Sequence, residues 1–244
     1  AALLPAGAGA QRRRGRRRGR VVDLTHRFTA GFPLYTGDEP TRRTLFTIGD
    51  NGFYSQEWTF GEHSGTHLDA PGHFVTGGRL VDELRPRELV LPIVVIDISS
   101  RARQDPDVVL SPRHLRRFER RHGRIPRGAL VAMDSGWARK IGDEDEFKGT
   151  DAGGTYHFPG FGEEAVEWLL AERRAAAIGV DTLSLDHGPS RTFGVHTMWL
   201  GADNYGIENL ANLDRLPPTG AVATVGVIPW ERGSGGPARV LATY

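Results

Sequence analysis

The chain of 244 residues contains no cysteine. Disulfides, thiolate metal sites and a cysteine nucleophile are all excluded, so any metal must rest on histidine, aspartate or glutamate. Missing thiols leave the compartment open. Also absent is any apolar run near the ~18 residues that a membrane-spanning helix needs, so no membrane span is expected. No internal repeat, phosphate-cradling glycine loop or nucleophile-elbow serine is present, which removes the usual nucleotide-binding and serine-hydrolase readings. What remains, 39% apolar and 25% charged residues, is the composition of a globular chain able to bury a substantial core.

The formal net charge of +1 conceals an asymmetry. Residues 1–20 hold seven arginines and no acid, leaving 24 basic against 30 acidic residues in 21–244. Residues 1–20 read as a flexible Arg-rich leader, because no apolar or aromatic pattern accompanies the charge. As a rival reading, the run Arg12–Arg20 could bind nucleic acid or another anionic surface, with affinity falling steeply in salt and a degenerate site elsewhere. The net-acidic remainder opposes this, and no nucleic-acid partner is expected. Residues 1–10 resemble the tail of a secretory signal with an Ala-x-Ala site, so export and a cytoplasmic location both stay open. Residues 21–244 are expected to form one domain.

Within that domain residues 21–24 read as an opening strand. Residues 44–48 and 53–60, rich in β-branched and aromatic side chains, read as two more, the second running straight towards a histidine cluster. Residues 92–98 are nearly all apolar, as in a strand buried on both faces. Ser111-Pro112 starts a helix and Gly123 stops it, with Leu115 and Phe118 as its buried stripe and the many arginines around them as a solvated face. Residues 129–133 form a strand, and the polar, Gly-rich stretch 138–156 reads as an exposed loop. Residues 162–174 form a helix with acids early and bases late. Residues 177–185 form a strand delivering Asp181, Asp186 and His187, for which capping or supporting roles are expected.

The chemistry concentrates in His63-Ser64-Gly65-Thr66-His67-Leu68-Asp69-Ala70-Pro71-Gly72-His73, which holds three of the chain's nine histidines. Neutral imidazole and carboxylate are the usual ligands of zinc and manganese. Gly65 and Pro71 oppose a helix, and in an extended segment His63, His67 and Asp69 would share one face. The alternative is a Gly/Pro loop with surface or capping histidines.

His-Ser-Gly-Thr-His-x-Asp-Ala-Pro-x-His-Phe resembles the signature of the metal-dependent cyclase hydrolase family, which includes bacterial kynurenine formamidase (arylformamidase) and the isatin hydrolases. The likeness extends to Val22-Asp23-Leu24-Thr25-His26, Phe158-Pro159-Gly160-Phe161, Gly179-Val180-Asp181-Thr182 and Glu208-Asn209-Leu210. It implies an α+β chain with the swivelling β/β/α fold, β-rich with a few flanking helices in a single domain. It also implies two divalent ions, zinc or manganese. Carried over residue by residue, one ion falls on His63, His67 and Asp69, and the second on Asp69, His196 and Glu208. His73 takes the catalytic position, moving protons from the nucleophile to the leaving nitrogen. Tyr35 matches an aromatic that leans over the substrate, although formamidases tend to have Trp there. Trp137 is a candidate pocket wall, with a buried core Trp as the alternative. The implied reaction is hydrolysis of an amide-type C–N bond in a small molecule. N-formylkynurenine is the lead substrate, and isatin, another lactam or a small ester is the alternative. The resemblance also implies a homodimer or homotetramer.

Overall fold

A computed structural model describes residues 19–37 and 39–244, and the expected leader lies almost wholly outside them. The strands are β1 Val21–Asp23, β2 Thr41–Phe46, β3 Ser55–Thr59, β4 His67–Asp69, β5 Val90–Asp97, β6 Val109–Leu110, β7 Leu130–Asp134, β8 Gly160–Phe161, β9 Ala177–Val180, β10 Tyr205–Glu208, β11 Ala221–Val227 and β12 Gly235–Thr243. The helices are α1 Ile48–Asn51, α2 Ser99–Ala102, α3 Pro112–His122, α4 Glu144–Lys148, α5 Glu163–Trp168 and α6 Gly194–Gly201.

Eight strands join in the order β1-β12-β11-β5-β7-β9-β10-β4, and β4 returns to pair with β12. β12 carries β11 along one edge; along the other lie β1, paired at Leu241–Thr243, and then β4, paired at Gly235–Pro237. The sheet therefore closes into a barrel-like form within one domain of strands and few helices. β5, β7, β9 and β10 are mutually parallel, and α3, α5 and α6 lie in the three connections between them. Successive side chains on a strand face opposite ways. Leu91, Ile93, Val95, Leu130 and Ala132 join the cluster enclosed by the ring, whereas Val94, Ile96, Val131, Met133 and Ile178 pack against Leu115, Phe118, Val166 and Trp199 of the helices. Burial on both faces is why these strands read as continuous apolar runs.

Several elements differ from the sequence reading. β2 and β3 pair only with each other, as a hairpin apart from the main sheet, so β3 runs on towards His63 from outside that sheet. The stretch 138–156 contains α4, capped by the Asp143 side chain, which accepts from the Glu146 N–H, and stopped at Gly149 with φ +58°. After α5 the chain widens into a π-helical turn, Leu169–Arg173, ended by Arg174 in the left-handed region at φ +50°. β9 stops at Val180, short of the expected residue 185, and Thr182 beyond it still accepts the Asn209 backbone N–H.

Candidate metal centre

β4 and β10 pair antiparallel, with Glu208 opposite His67 and Gly206 opposite Asp69. Leu68 and Ile207 point into the barrel core, so alternation puts His67, Asp69 and Glu208 together on the other face. His67 Nε2 lies 3.4 Å from Asp69 Oδ1 and 3.3 Å from Glu208 Oε2. Gly65, at φ +70°, breaks the extended run, so His63 reaches the site by a turn and not by strand alternation. A Cβ at this position would meet the Phe28 ring at 2.6 Å. His63 Nδ1 comes 2.7 Å from Asp69 Oδ1. α6 supplies His196, whose Nε2 is 3.1 Å from Glu208 Oε1 and 3.6 Å from Asp69 Oδ2. Among the described residues, two groups of three could hold a metal ion: His63, His67 and Asp69, and Asp69, His196 and Glu208.

Exposure of His67, Asp69, His196 and Glu208 is only 3%, 1%, 4% and 6%. Buried carboxylates this close together need positive charge among them. Burial opposes ionisation of Asp69, yet His67 and His196 lead in overriding it and hold its carboxyl well below the ordinary range. Burial and Asp69 both work against Glu208, and bonds from His196 and His67 still leave it lowered. Burial likewise disfavours the His67 cation, but Asp69 and Glu208 raise it to about 10. His196 is raised well above its ordinary value against burial, by Asp186, Asp69 and Glu208. A pocket that holds protons this firmly is one that stabilises cations. Asp69 Oδ2 is buried without a hydrogen-bond partner, an orphan that a cation would satisfy. The imidazole and carboxylate donors suit zinc or manganese. The residues fit the implied ions.

Supporting contacts orient the rings. His67 Nδ1–H donates to the Gly65 carbonyl at 2.9 Å and His196 Nδ1–H to Asp186 Oδ2 at 2.7 Å, which turns each Nε2 towards the carboxylates. Asp186 also accepts the Val195 and His196 backbone N–H groups at the start of α6. Of the three residues delivered after β9, it alone adjoins the centre. Asp181 instead accepts backbone N–H groups of Ser135 and Trp137. His73 ends a 3₁₀ turn, Pro71–His73, directly after β4, and its ring stacks on His63 at 3.8 Å. Burial pushes its pKa down to about 4, with His63 and His196 adding to the fall against the pull of Asp69. Its imidazole is neutral at pH 7.

A cavity of ≈260 Å³ opens over this floor, walled by Leu34, Tyr35, Phe74, Leu183 and Phe193. Tyr35 is among the residues lining the cavity, edge-on to Phe193 at 5.7 Å. Trp137 does not line the cavity. It is 4% exposed, donates Nε1–H to the Phe147 carbonyl at 2.7 Å, and packs with Phe147, Phe158 and Leu183 behind the wall. Sequence reasoning missed Phe74, stacked on His196 at 4.7 Å, and Phe193, because an aromatic that lines a cavity looks like one that fills a core. Position 74 did carry a signal, being the last residue of the motif. Phe193, at φ +49° just ahead of α6, carried none.

Tyr156 leans on Tyr35 edge-on at 5.3 Å and donates its hydroxyl to the Tyr35 carbonyl at 3.2 Å. Its neighbour His157 is clasped between Asp107, 2.8 Å from Nδ1, and Asp151, 3.4 Å from Nε2. The bond to Asp107 leads in raising the His157 pKa. A raised folded-state pKa means the clasp is fully present below the ordinary histidine value and is lost as pH rises through the raised one. Amide exchange of residues 149–158, corrected for intrinsic rates, should therefore accelerate as pH rises above the ordinary histidine value. His157→Asn should flatten that dependence. Because the clasp lies at the surface, the effect is small.

Fold and site together define a barrel-like, strand-rich domain with a His/Asp/Glu centre under an aromatic cavity. The family model described as "Putative cyclase" matches residues 22–187, and the chain belongs to this cyclase family. Among its relatives, the isatin hydrolase of Roseibium aggregatum is 37% identical over 203 residues, covering 79% of this chain and 76% of the relative. The kynurenine formamidase of Bordetella petrii is 27% identical over 193 residues, covering 78% and 82%. The solved isatin hydrolase A from Ralstonia solanacearum superposes with a TM-score of 0.88 at 38% identity, covering 92% of each chain. An isatin hydrolase bound to the product analogue thioisatinate gives 0.88 at 31% identity over 93% of each.

Proposed function

We propose that this protein hydrolyses the C–N bond of a cyclic aryl amide of the isatin class. The observation that carries the reading is a cavity with aromatic walls opening directly onto both groups of metal-ligating side chains. The likeness to isatin hydrolases ranks this substrate ahead of N-formylkynurenine, which the sequence motif alone had put first. His63, His67 and Asp69 would hold one divalent ion and Asp69, His196 and Glu208 the other, zinc or manganese. When bound, such ions supply Lewis acidity that polarises the scissile carbonyl and acidifies water. The apolar faces of Phe74, Phe193 and Tyr35 receive a flat ring and exclude bulk water. Neutral His73 takes the proton released as water adds to the carbonyl carbon. It returns that proton to nitrogen as the C–N bond breaks, so the ring opens to a neutral aryl amine and a carboxylic acid, which gives its remaining proton to solvent and becomes a carboxylate.

The test is an assay of metal-loaded protein on isatin, N-formylkynurenine and a simple aryl ester. Isatin should lead in kcat/KM by at least about tenfold, the scale on which pocket shape separates substrates. Preference for N-formylkynurenine would restore the formamidase reading. No turnover of any of them, with two ions bound, would reject both.

The same reading includes a homo-oligomer. Every residue of β2 is exposed, and Leu45, Phe46, Ile48, Phe53 and Tyr54 cluster on the hairpin at 39–71% exposure. A two-stranded hairpin is marginal alone, and a large apolar patch marks an interaction surface. Changing Phe46, Ile48 and Phe53 together to serine should shift the protein to a monomer by light scattering. An unchanged mass would place the subunit contact elsewhere.

A further inference from the structure

The centre contains one histidine whose ring is turned the opposite way from the other two. His67 and His196 hold their Nδ1–H groups away and offer Nε2 to the carboxylates. His63 offers Nδ1 to Asp69, and its Nε2 lies 3.0 Å from Ser234 Oγ. Behind Ser234 stands Glu62, whose Oε2 is 2.6 Å from that hydroxyl and 2.9 Å from the Ser234 backbone N.

Proton positions follow from what each group can do. The Glu62 carboxylate accepts only, so the Ser234 hydroxyl gives its hydrogen to Glu62. Ser234 Oγ then faces His63 as an acceptor, and the His63 ring hydrogen must sit on Nε2. The Nδ1 lone pair is left pointing at Asp69 Oδ1 across 2.7 Å. Two acceptors that close repel unless a cation draws them together. The local backbone suits this arrangement. A Cβ on Gly235 would meet His63 Cε1 at 2.6 Å and the Leu68 carbonyl at 2.5 Å, so the bare glycine after Ser234 lets the ring lie against the start of β12.

We propose that Glu62 and Ser234 are positioning residues that fix His63 in the tautomer whose Nδ1 binds a divalent cation. The proposal rests on the metal-dependent reading above. Neither residue touches the cation or the substrate. They act through the His63 ring, at a separation of 171 residues in sequence for Ser234. Without Glu62 the serine hydroxyl is free to rotate and donate to Nε2, which moves the ring hydrogen to Nδ1 and blocks the ligand atom. Glutamine at position 62 keeps a carbonyl acceptor for both Ser234 hydrogens and preserves the arrangement.

Zinc affinity, measured on the full chain by competition with a chromophoric chelator, tests this. Wild-type protein should take up two zinc ions. Ser234→Ala and Glu62→Ala should each weaken one of the two by roughly 10–100-fold and leave the other unchanged. The double variant should be no worse than either single one, and Glu62→Gln should stay close to wild type. In ¹⁵N-histidine spectra of the zinc-loaded protein, the His63 hydrogen should sit on Nε2 in wild type and lose that signature in Glu62→Ala. Thermal melting confirms that each variant is folded. Unchanged affinities in both alanine variants of a two-zinc protein would overturn the proposal alone. So would Glu62→Gln failing as badly as Glu62→Ala. A folded wild type that binds no zinc would overturn the metal-dependent reading and this proposal with it.

Discussion

Asp69→Ala should lose both ions at once, taking metal content from two per chain to none after dialysis and kcat/KM down at least about a thousandfold. The scale is the several kcal/mol of charge stabilisation that metal-assisted hydrolysis draws on. The two groups of candidate ligands share this one side chain. Its Oδ1 faces His63 and His67, and its Oδ2, with no hydrogen-bond partner, faces His196 at 3.6 Å. No neighbour can replace it, since Gly206 is the residue opposite in the strand pairing. Elemental analysis beside a progress-curve assay reads both effects. Retention of one tightly held ion would show that Asp69 does not bridge, and the two-ion assignment would fall.

His73→Ala should do the reverse, keeping two ions while kcat falls by about 10²–10⁴, the range for removing a general acid–base. The ring stacks on His63 and borders the cavity but belongs to neither group of candidate ligands. Its lowered pKa also has a stability consequence. Between the ordinary histidine value and about 4 the unfolded chain binds a proton that the folded one refuses, so stability falls as pH falls through that window. The alanine variant should lose that part of the acid-side decline, visible in thermal melts between about pH 6.5 and 4. Loss of metal from this variant alone would make His73 a ligand and overturn the division of roles.

How much of this was legible in the sequence varied with distance along the chain. His63, His67, Asp69 and His73 stood out because eleven residues hold them all. The detailed guess about them was wrong in one respect. Gly65 turns the backbone, so His63 arrives by a left-handed kink and not by strand alternation. His196 and Glu208 were named only through the family resemblance, since a spacing of twelve carries no geometry. What unites them with the motif is the register of β4 on β10, a pairing across some 140 residues that no local pattern encodes. Apolar periodicity located the strands beneath α3 and α5 well, because burial on both faces leaves an unmistakable run. β-branched and aromatic content likewise located β3, although it could not tell that this strand belongs to a separate hairpin with β2. Trp137 takes the buried-core alternative, and Phe193 was missed, for one reason: composition cannot tell which side of a wall a ring occupies.

The division between floor and walls bears on how such a protein can diverge. Its candidate ligands sit mostly on paired strands and one buried helix, where a slip of a single residue would turn His67, Asp69 or Glu208 to the wrong face. Tyr35, Phe74 and Phe193 sit outside the strands and helices, where replacements are tolerated. Lining can therefore drift through a few loop positions while the candidate ligands beneath it stay fixed.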